Sequence, residues 1–124
     1  MNFRLKTSKE TEEILRTLQS SLGLTWNVLS RLAVSLSLND PSSPPEVTDT
    51  SGIEINRNTM TGEHDYVYKA LIRQHAGCHL SDEEFFPDYF NRHLSRGIVL
   101  LEGEYRLAGN FEKLFTKFFS EGNR

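Results

Sequence analysis

The first 38 residues constrain this chain more than any other stretch. Residues 2–6 alternate in polarity, with Phe3 and Leu5 on one face and Asn2, Arg4 and Lys6 on the other. That is the period of a short half-buried strand. Thr7 and Glu10 then stand at the spacing of a capping box, so a helix is expected to start there. Ile14, Leu15, Leu18 and Leu22 form its apolar stripe, and Gly23 occupies the position of a glycine that ends a helix. Thr25 is placed to cap a second helix carrying Trp26, Val28, Leu29, Leu32, Ala33 and Leu36. That helix is apolar over much of its circumference, which calls for burial on more than one side. A strand this short is unstable by itself, so pairing with the same strand of a second chain is expected.

Beyond Leu38 the pattern breaks. Residues 39–52 are rich in Pro, Ser, Asp and Thr and are expected to form an exposed loop or linker. Residues 53–59 could form a brief strand. A third helix is expected where Tyr66, Val67, Ala70, Leu71 and Gln74 share a face and Gly77 follows. Ser81 and Glu84 offer another capping box, but Pro87 does not fit a helix interior. The expectation is a short turn over 81–86, then a helix from Pro87, at its first position, to Arg96. Ile98–Leu101 is apolar and ambiguous. A last helix is expected over 110–119, with Phe111, Leu114, Phe115, Phe118 and Phe119 as an aromatic seam. The chain thus divides into a strand–helix–helix unit (1–38), a loop (39–52) and a helical remainder (53–119), all in one domain of 124 residues.

Composition narrows the function. No stretch approaches the roughly 18 apolar residues of a membrane span, and the amino terminus lacks the apolar run of a secretory signal. Cys78 is the only cysteine, which rules out an internal disulfide and suits a reducing cytoplasm. The net charge of −3 speaks against a nucleic-acid partner, but its distribution matters more than the sum. Residues 1–38 carry five basic and three acidic side chains, whereas the rest carries nine and fourteen. The mildly basic end comes first.

Strand, helix, glycine turn and helix in this order resemble a ribbon–helix–helix DNA-binding unit. In such a unit a paired ribbon buries Phe3 and Leu5 between two chains and turns Asn2, Arg4 and Lys6 into the major groove. The turn Gly23-Leu24-Thr25-Trp26-Asn27 presents helix-start amides that favour a phosphate oxygen. A closer resemblance covers nearly the whole chain. Asn2-Phe3-Arg4-Leu5-Lys6-Thr7-Ser8, Gly23-Leu24-Thr25-Trp26-Asn27-Val28-Leu29-Ser30-Arg31 and Gly52-Ile53-Glu54-Ile55-Asn56-Arg57-Asn58-Thr59 resemble the DndE family of DNA sulfur-modification proteins. Tyr66-Val67-Tyr68-Lys69-Ala70-Leu71 and the pair Arg96-Gly97 are similar too. The resemblance implies an accessory subunit working with DndC and DndD in placing sulfur on the DNA backbone. It further implies binding to double-stranded DNA, plausibly at a nick, as a homo-oligomer, most simply a tetramer. It carries no catalytic motif and no cofactor.

Three constellations invite chemistry and have simpler readings. His75-Ala76-Gly77-Cys78-His79 holds three potential metal ligands within five residues, but zinc sites take a second spaced pair and haem attachment takes Cys-x-x-Cys-His. A helix C-terminus with histidines favoured by the helix dipole accounts for them. Cys78 could relay sulfur if its thiol were activated, yet an isolated cysteine is more often a small packed residue. Asp82-Glu83-Glu84 suits the first turn of a helix as well as a pair of catalytic carboxylates. The expectation is therefore a mainly α, homo-oligomeric, non-enzymatic protein that binds no metal. Its DNA face would comprise Arg4, Lys6 and Lys9, with Thr25 and Asn27 at the helix start, and Arg31. A ribbon–helix–helix repressor and a protein scaffold for the modification complex are the alternatives.

Overall fold

In the computed structural model, which describes residues 3–109 and Thr116, the opening strand finds its partner inside the chain. β1 (Arg4–Lys6) pairs antiparallel with β2 (Glu54–Asn56), in the register Arg4 to Asn56, Leu5 to Ile55 and Lys6 to Glu54. The expectation of a ribbon shared between two chains is thereby corrected. Leu5 and Ile55 face inward and are buried, while Arg4, Lys6, Glu54 and Asn56 face out. Phe3, expected beside Leu5, is 56% exposed.

The ribbon is held by hydrogen bonds at both ends. Thr7 N–H donates to the Ile53 carbonyl (2.9 Å), Gly52 N–H to the Thr7 carbonyl (2.8 Å), and Arg57 N–H to the Phe3 carbonyl (2.6 Å). Buried Thr7 accepts from Ile53 N–H through Oγ1 at 3.1 Å, so it joins the two strands and is not the helix cap. The cap lies one residue later: Ser8 Oγ accepts from Thr11 N–H at 3.1 Å, and α1 runs Lys9–Leu22. Residues 39–52 have no regular structure, as expected, but they are no free linker. Pro44 is buried, and Asp49 Oδ2 accepts from Lys9 N–H at 2.9 Å.

α1 closes on Gly23, whose φ of 70° is left-handed and whose N–H donates to the Gln19 carbonyl. α2 (Trp26–Leu38) is buried along Leu29, Ser30, Ala33, Val34 and Ser37, with Trp26, Leu32, Leu36 and Leu38 partly covered. This wide apolar girth lets it serve as the central helix, against which α5 (Phe90–Ala108) makes the most extensive packing. Gly97 explains how closely they approach: a Cβ built there would lie 1.7 Å from the Ala33 carbonyl oxygen. Arg96-Gly97 therefore does not end a helix, as expected from the sequence, but continues one. α5 runs unbroken through the ambiguous segment 98–101 to Ala108.

The short α3 (Arg57–Thr61) follows β2 directly, and a 3-10 turn, Gly62–His64, leads into α4 (Asp65–Ala76). The expected bounds of α4 hold, but its expected core face does not. Tyr66, Val67, Ala70, Leu71 and Gln74 are all exposed. Ile72 is the buried residue, with Tyr68 and Ala76 packed at the edge of the core. A buried ion pair sets this rotation. Arg57, 3% exposed, grips Asp65 in a bidentate pair (2.8 and 2.7 Å) and Asp82 in another (2.8 and 2.8 Å). With Asp65 drawn toward Arg57, the helix turns positions 65, 68, 72 and 76 inward.

Ser81 and Glu84 form the expected reciprocal capping box, at 3.0 and 3.1 Å. A wide turn, Glu84–Tyr89, follows, with Phe86 extended and the Phe86–Pro87 peptide cis. Phe85, Phe86 and Phe90 are fully buried and pack ring against ring. The aromatic seam expected over 110–119 lies outside the described residues.

Two glycines of one helix give opposite expectations. Gly97→Ala drives a methyl group into the α2 backbone and should destabilise by on the order of 3 kcal/mol or more, a loss of over 10 °C in the melting temperature. Gly103, which has nothing within 4 Å of a built Cβ, should gain roughly 0.5–1 kcal/mol as alanine. Thermal melts followed by circular dichroism would check both.

Candidate nucleic-acid interface

The fold neutralises most of its own basic side chains. Lys9 and Arg16 both pair with Glu12 (2.7 and 3.1 Å), and Lys9 holds the Glu12 carboxyl below its ordinary range. Lys69 pairs with Asp82, Arg92 with Asp88, Arg96 with Asp40 and Arg106 with Glu102. Arg31 donates to the Met60 carbonyl (2.8 Å) and the Thr59 carbonyl (3.3 Å), closing the end of α3. Arg73 is bound to the Leu80 carbonyl. Among the described residues, Lys6 is the one basic side chain with no ion pair or hydrogen bond. Arg4 beside it is 69% exposed and makes only a loose 3.7 Å contact with Glu54.

The six residues expected at a DNA face thus do not form one cluster. Arg4 and Lys6 project from the outer face of the ribbon, with Lys9 at the start of α1. Thr25 and Asn27 stand beyond the other end of that 14-residue helix, which separates them by about 21 Å at 1.5 Å per residue. Thr25 is the N-cap of α2, but its hydroxyl bonds the Asn27 side chain and makes no capping bond to the backbone. Amides of the first turn therefore lack a side-chain cap. Arg31 belongs to neither place.

The sequence did not signal a recess beside the two ribbon cations. The 39–52 loop brings Val47 and Thr50 to it, and the wide turn before α5 brings Pro87 and Asp88. With Arg4 and Lys6 they enclose a recess of about 330 Å³. Asn91 lies at its base and anchors β1, its Nδ2 donating to the Lys6 carbonyl at 3.0 Å. Asp88 is engaged by Arg92 at 2.9 and 3.2 Å, so its charge is already met within its own segment.

The fold is mainly helical, with a short paired strand ribbon that turns Arg4 and Lys6 outward. The model of the family described as DNA sulphur modification protein DndE matches residues 4–109. The chain belongs to that family. Its fold is similar to the crystal structure of DndE from Escherichia coli B7A involved in DNA phosphorothioation modification. The TM-score is 0.66 at 22% identity, over 82% of this chain and 98% of that one. A glycine-to-lysine mutant of DndE involved in DNA phosphorothioation is similar at TM-score 0.66 and 19% identity, over 83% and 99%. No curated protein matches the sequence significantly.

The other candidates are placed by packing. Asp82 serves Arg57 and Lys69, and Glu84 serves the capping box. Cys78 and His79 are exposed beyond the end of α4, and no group of three or more potential metal ligands comes together among the described residues. His75 points the other way, its Nε2 2.6 Å from the Asp40 carbonyl and its ring 4.8 Å from that of fully buried His93. Arg96 Nε donates to Ser37 Oγ at 2.8 Å, leaving the Ser37 proton for His93 Nδ1, also at 2.8 Å. The imidazole proton is then on Nε2, which has no hydrogen-bond partner among the described residues. Burial first, then His75 and Arg96, push the His93 pKa from 6.5 down to about 4.

A histidine held neutral by the fold stabilises it fully above the unfolded pKa. Between 6.5 and about 4 the unfolded chain takes up a proton that the folded chain refuses. Stability should therefore fall as pH drops through that window, by about 3 kcal/mol at about 1.4 kcal/mol per unit. Urea denaturation at pH 7 and pH 5 should show about 2 kcal/mol of that loss, and His93→Gln should remove most of it.

Proposed function

We propose that this chain is a non-enzymatic accessory subunit of the DNA phosphorothioation machinery that binds double-stranded DNA through the outer face of its β-ribbon. The observation that carries the reading is the contrast between Arg4 and Lys6 and the other described basic side chains. Ion pairs or backbone hydrogen bonds engage all of the latter, while Arg4 has one loose partner and Lys6 none. A surface left charged amid such thorough neutralisation suits phosphate contact. Family membership and the phosphorothioation named for the E. coli relative supply the pathway.

In this reading the subunit works in the cytoplasm with DndC and DndD, prefers nicked duplex, and assembles with copies of itself, most simply as a tetramer. The exposed apolar residues Tyr66, Val67 and Leu71 along α4, and Val99, Leu100 and Leu107 along α5, support assembly. Free, exposed Cys78 fits a reducing compartment. No helix among the described residues is long and apolar enough to cross a membrane. The ribbon–helix–helix repressor loses its main support, because β1 is already paired with β2. A pure scaffold would leave the two ribbon cations without a role.

Each phosphate neutralised contributes about −0.9 to the slope of log affinity against log salt. Arg4→Ala with Lys6→Ala should weaken duplex binding and flatten that slope by about one to two units. Lys9→Ala should do less, because Lys9 is paired with Glu12. Unchanged affinity and slope in the double variant would move the DNA face elsewhere. For assembly, light scattering should give a mass above one chain, and Val67→Glu with Leu71→Glu should lower it.

A further inference from the structure

We infer that the recess between the ribbon and the start of α5 receives a single nucleotide lifted out of the duplex stack. This rests on the duplex-binding reading above and adds a second, concave element to a convex charged one. The outward faces of Arg4 and Lys6 suffice for the phosphates of an intact duplex. A continuous double helix presents a convex backbone, however, and has nothing to place between apolar walls. An unstacked nucleotide does.

The recess is lined by two kinds of group. Arg4 and Lys6 are cations suited to a nucleotide phosphate. Val47, with its branched side chain, and Pro87, with its compact ring, are apolar surfaces suited to the face of a base. Thr50 supplies a hydroxyl able to donate or accept, and Asp88 a carboxylate that accepts only. Asp88 is already paired with Arg92, and Glu54 meets Arg4 only loosely at 3.7 Å, so neither carboxylate holds the ribbon cations away from a phosphate. The volume of about 330 Å³ falls in the range of small-ligand clefts, about 300–1,000 Å³.

The geometry is also fixed in advance. Asn91 holds the Lys6 carbonyl at 3.0 Å, and Gly52 and Thr7 lock the end of the loop to the ribbon. Ordering the site on binding therefore costs little conformational freedom. A protein with this recess distinguishes DNA that can expose a nucleotide from DNA that cannot, without reading its sequence.

The test compares two labelled duplexes by fluorescence anisotropy, one continuous and one with a single unpaired nucleotide in one strand. The wild-type chain should bind the second on the order of tenfold tighter. Thr50→Trp, which fills the recess from an exposed loop position, and Val47→Asp, which puts a charged group where the base would pack, should each abolish that preference. Both should keep affinity for the continuous duplex within about twofold and melt like the wild type, with Thr50→Trp controlling for any repulsion by the added charge. Equal wild-type affinity for the two duplexes, or a preference that survives in either variant, overturns the recess and leaves duplex binding standing. Failure to bind either duplex overturns the duplex-binding reading together with the recess.

Discussion

Arg57 is the point on which the rest of the architecture turns. Its backbone N–H ends the ribbon by bonding Phe3, and its guanidinium lies over the rings of Phe85 and Phe86 at 5.1 and 5.3 Å. The same group binds Asp65 at the start of α4 and Asp82 just before the aromatic turn. Both carboxyls are held below their ordinary range, and both keep about 30% of their side-chain surface in water. That partial hydration matters, because a wholly buried pair returns little net stability for its desolvation. Losing one member of such a cluster costs roughly 3–5 kcal/mol, since the partners left behind remain charged. Arg57 thus selects one arrangement of four segments where apolar burial alone would allow several.

Apolar contacts supply the bulk of the stability around that anchor, and they too depend on one close approach. The α2–α5 crossing admits no side chain at Gly97, so the two helices meet with backbone in contact. Arg96, one residue earlier, donates to the Ser37, Asp40 and Ser42 carbonyls and terminates α2 from the side. The dipeptide Arg96-Gly97 does two jobs at one crossing: it caps one helix and lets the other pass.

Much of the helical framework was legible in the sequence. Gly23 and Gly77 end their helices with left-handed φ, and Ser81 and Glu84 cap each other, because these signals act within four residues. The failures share a cause. Period-2 alternation correctly put Leu5 in and Arg4 and Lys6 out, but local pattern could not reveal that Ile55 would cover Leu5 from fifty residues away. Tyr66, Val67 and Leu71 form a convincing apolar stripe, yet the Arg57–Asp65 pair rotates α4 against it. A glycine inside α5 looked like a breaker because tight interhelical contact has no sequence pattern of its own. The candidate site shows the same division. Its cations were readable from alternation, whereas its walls come from residues 47–50 and 87–91 and carried no motif.

The pairing of residue 4 with residue 56, secured by Asn91, bears on when this protein becomes competent during its synthesis. A ribosome delivers Arg4 and Lys6 about fifty residues ahead of β2, and nothing fixes their direction until β2 has emerged and α5 has followed. The first strand of the ribbon waits for partners made well after it. A nascent or prematurely ended chain therefore carries these two charges on an unpaired, unoriented segment, and presents no formed surface to a polyanion. In this fold the charged strand acquires its direction only from segments that follow it.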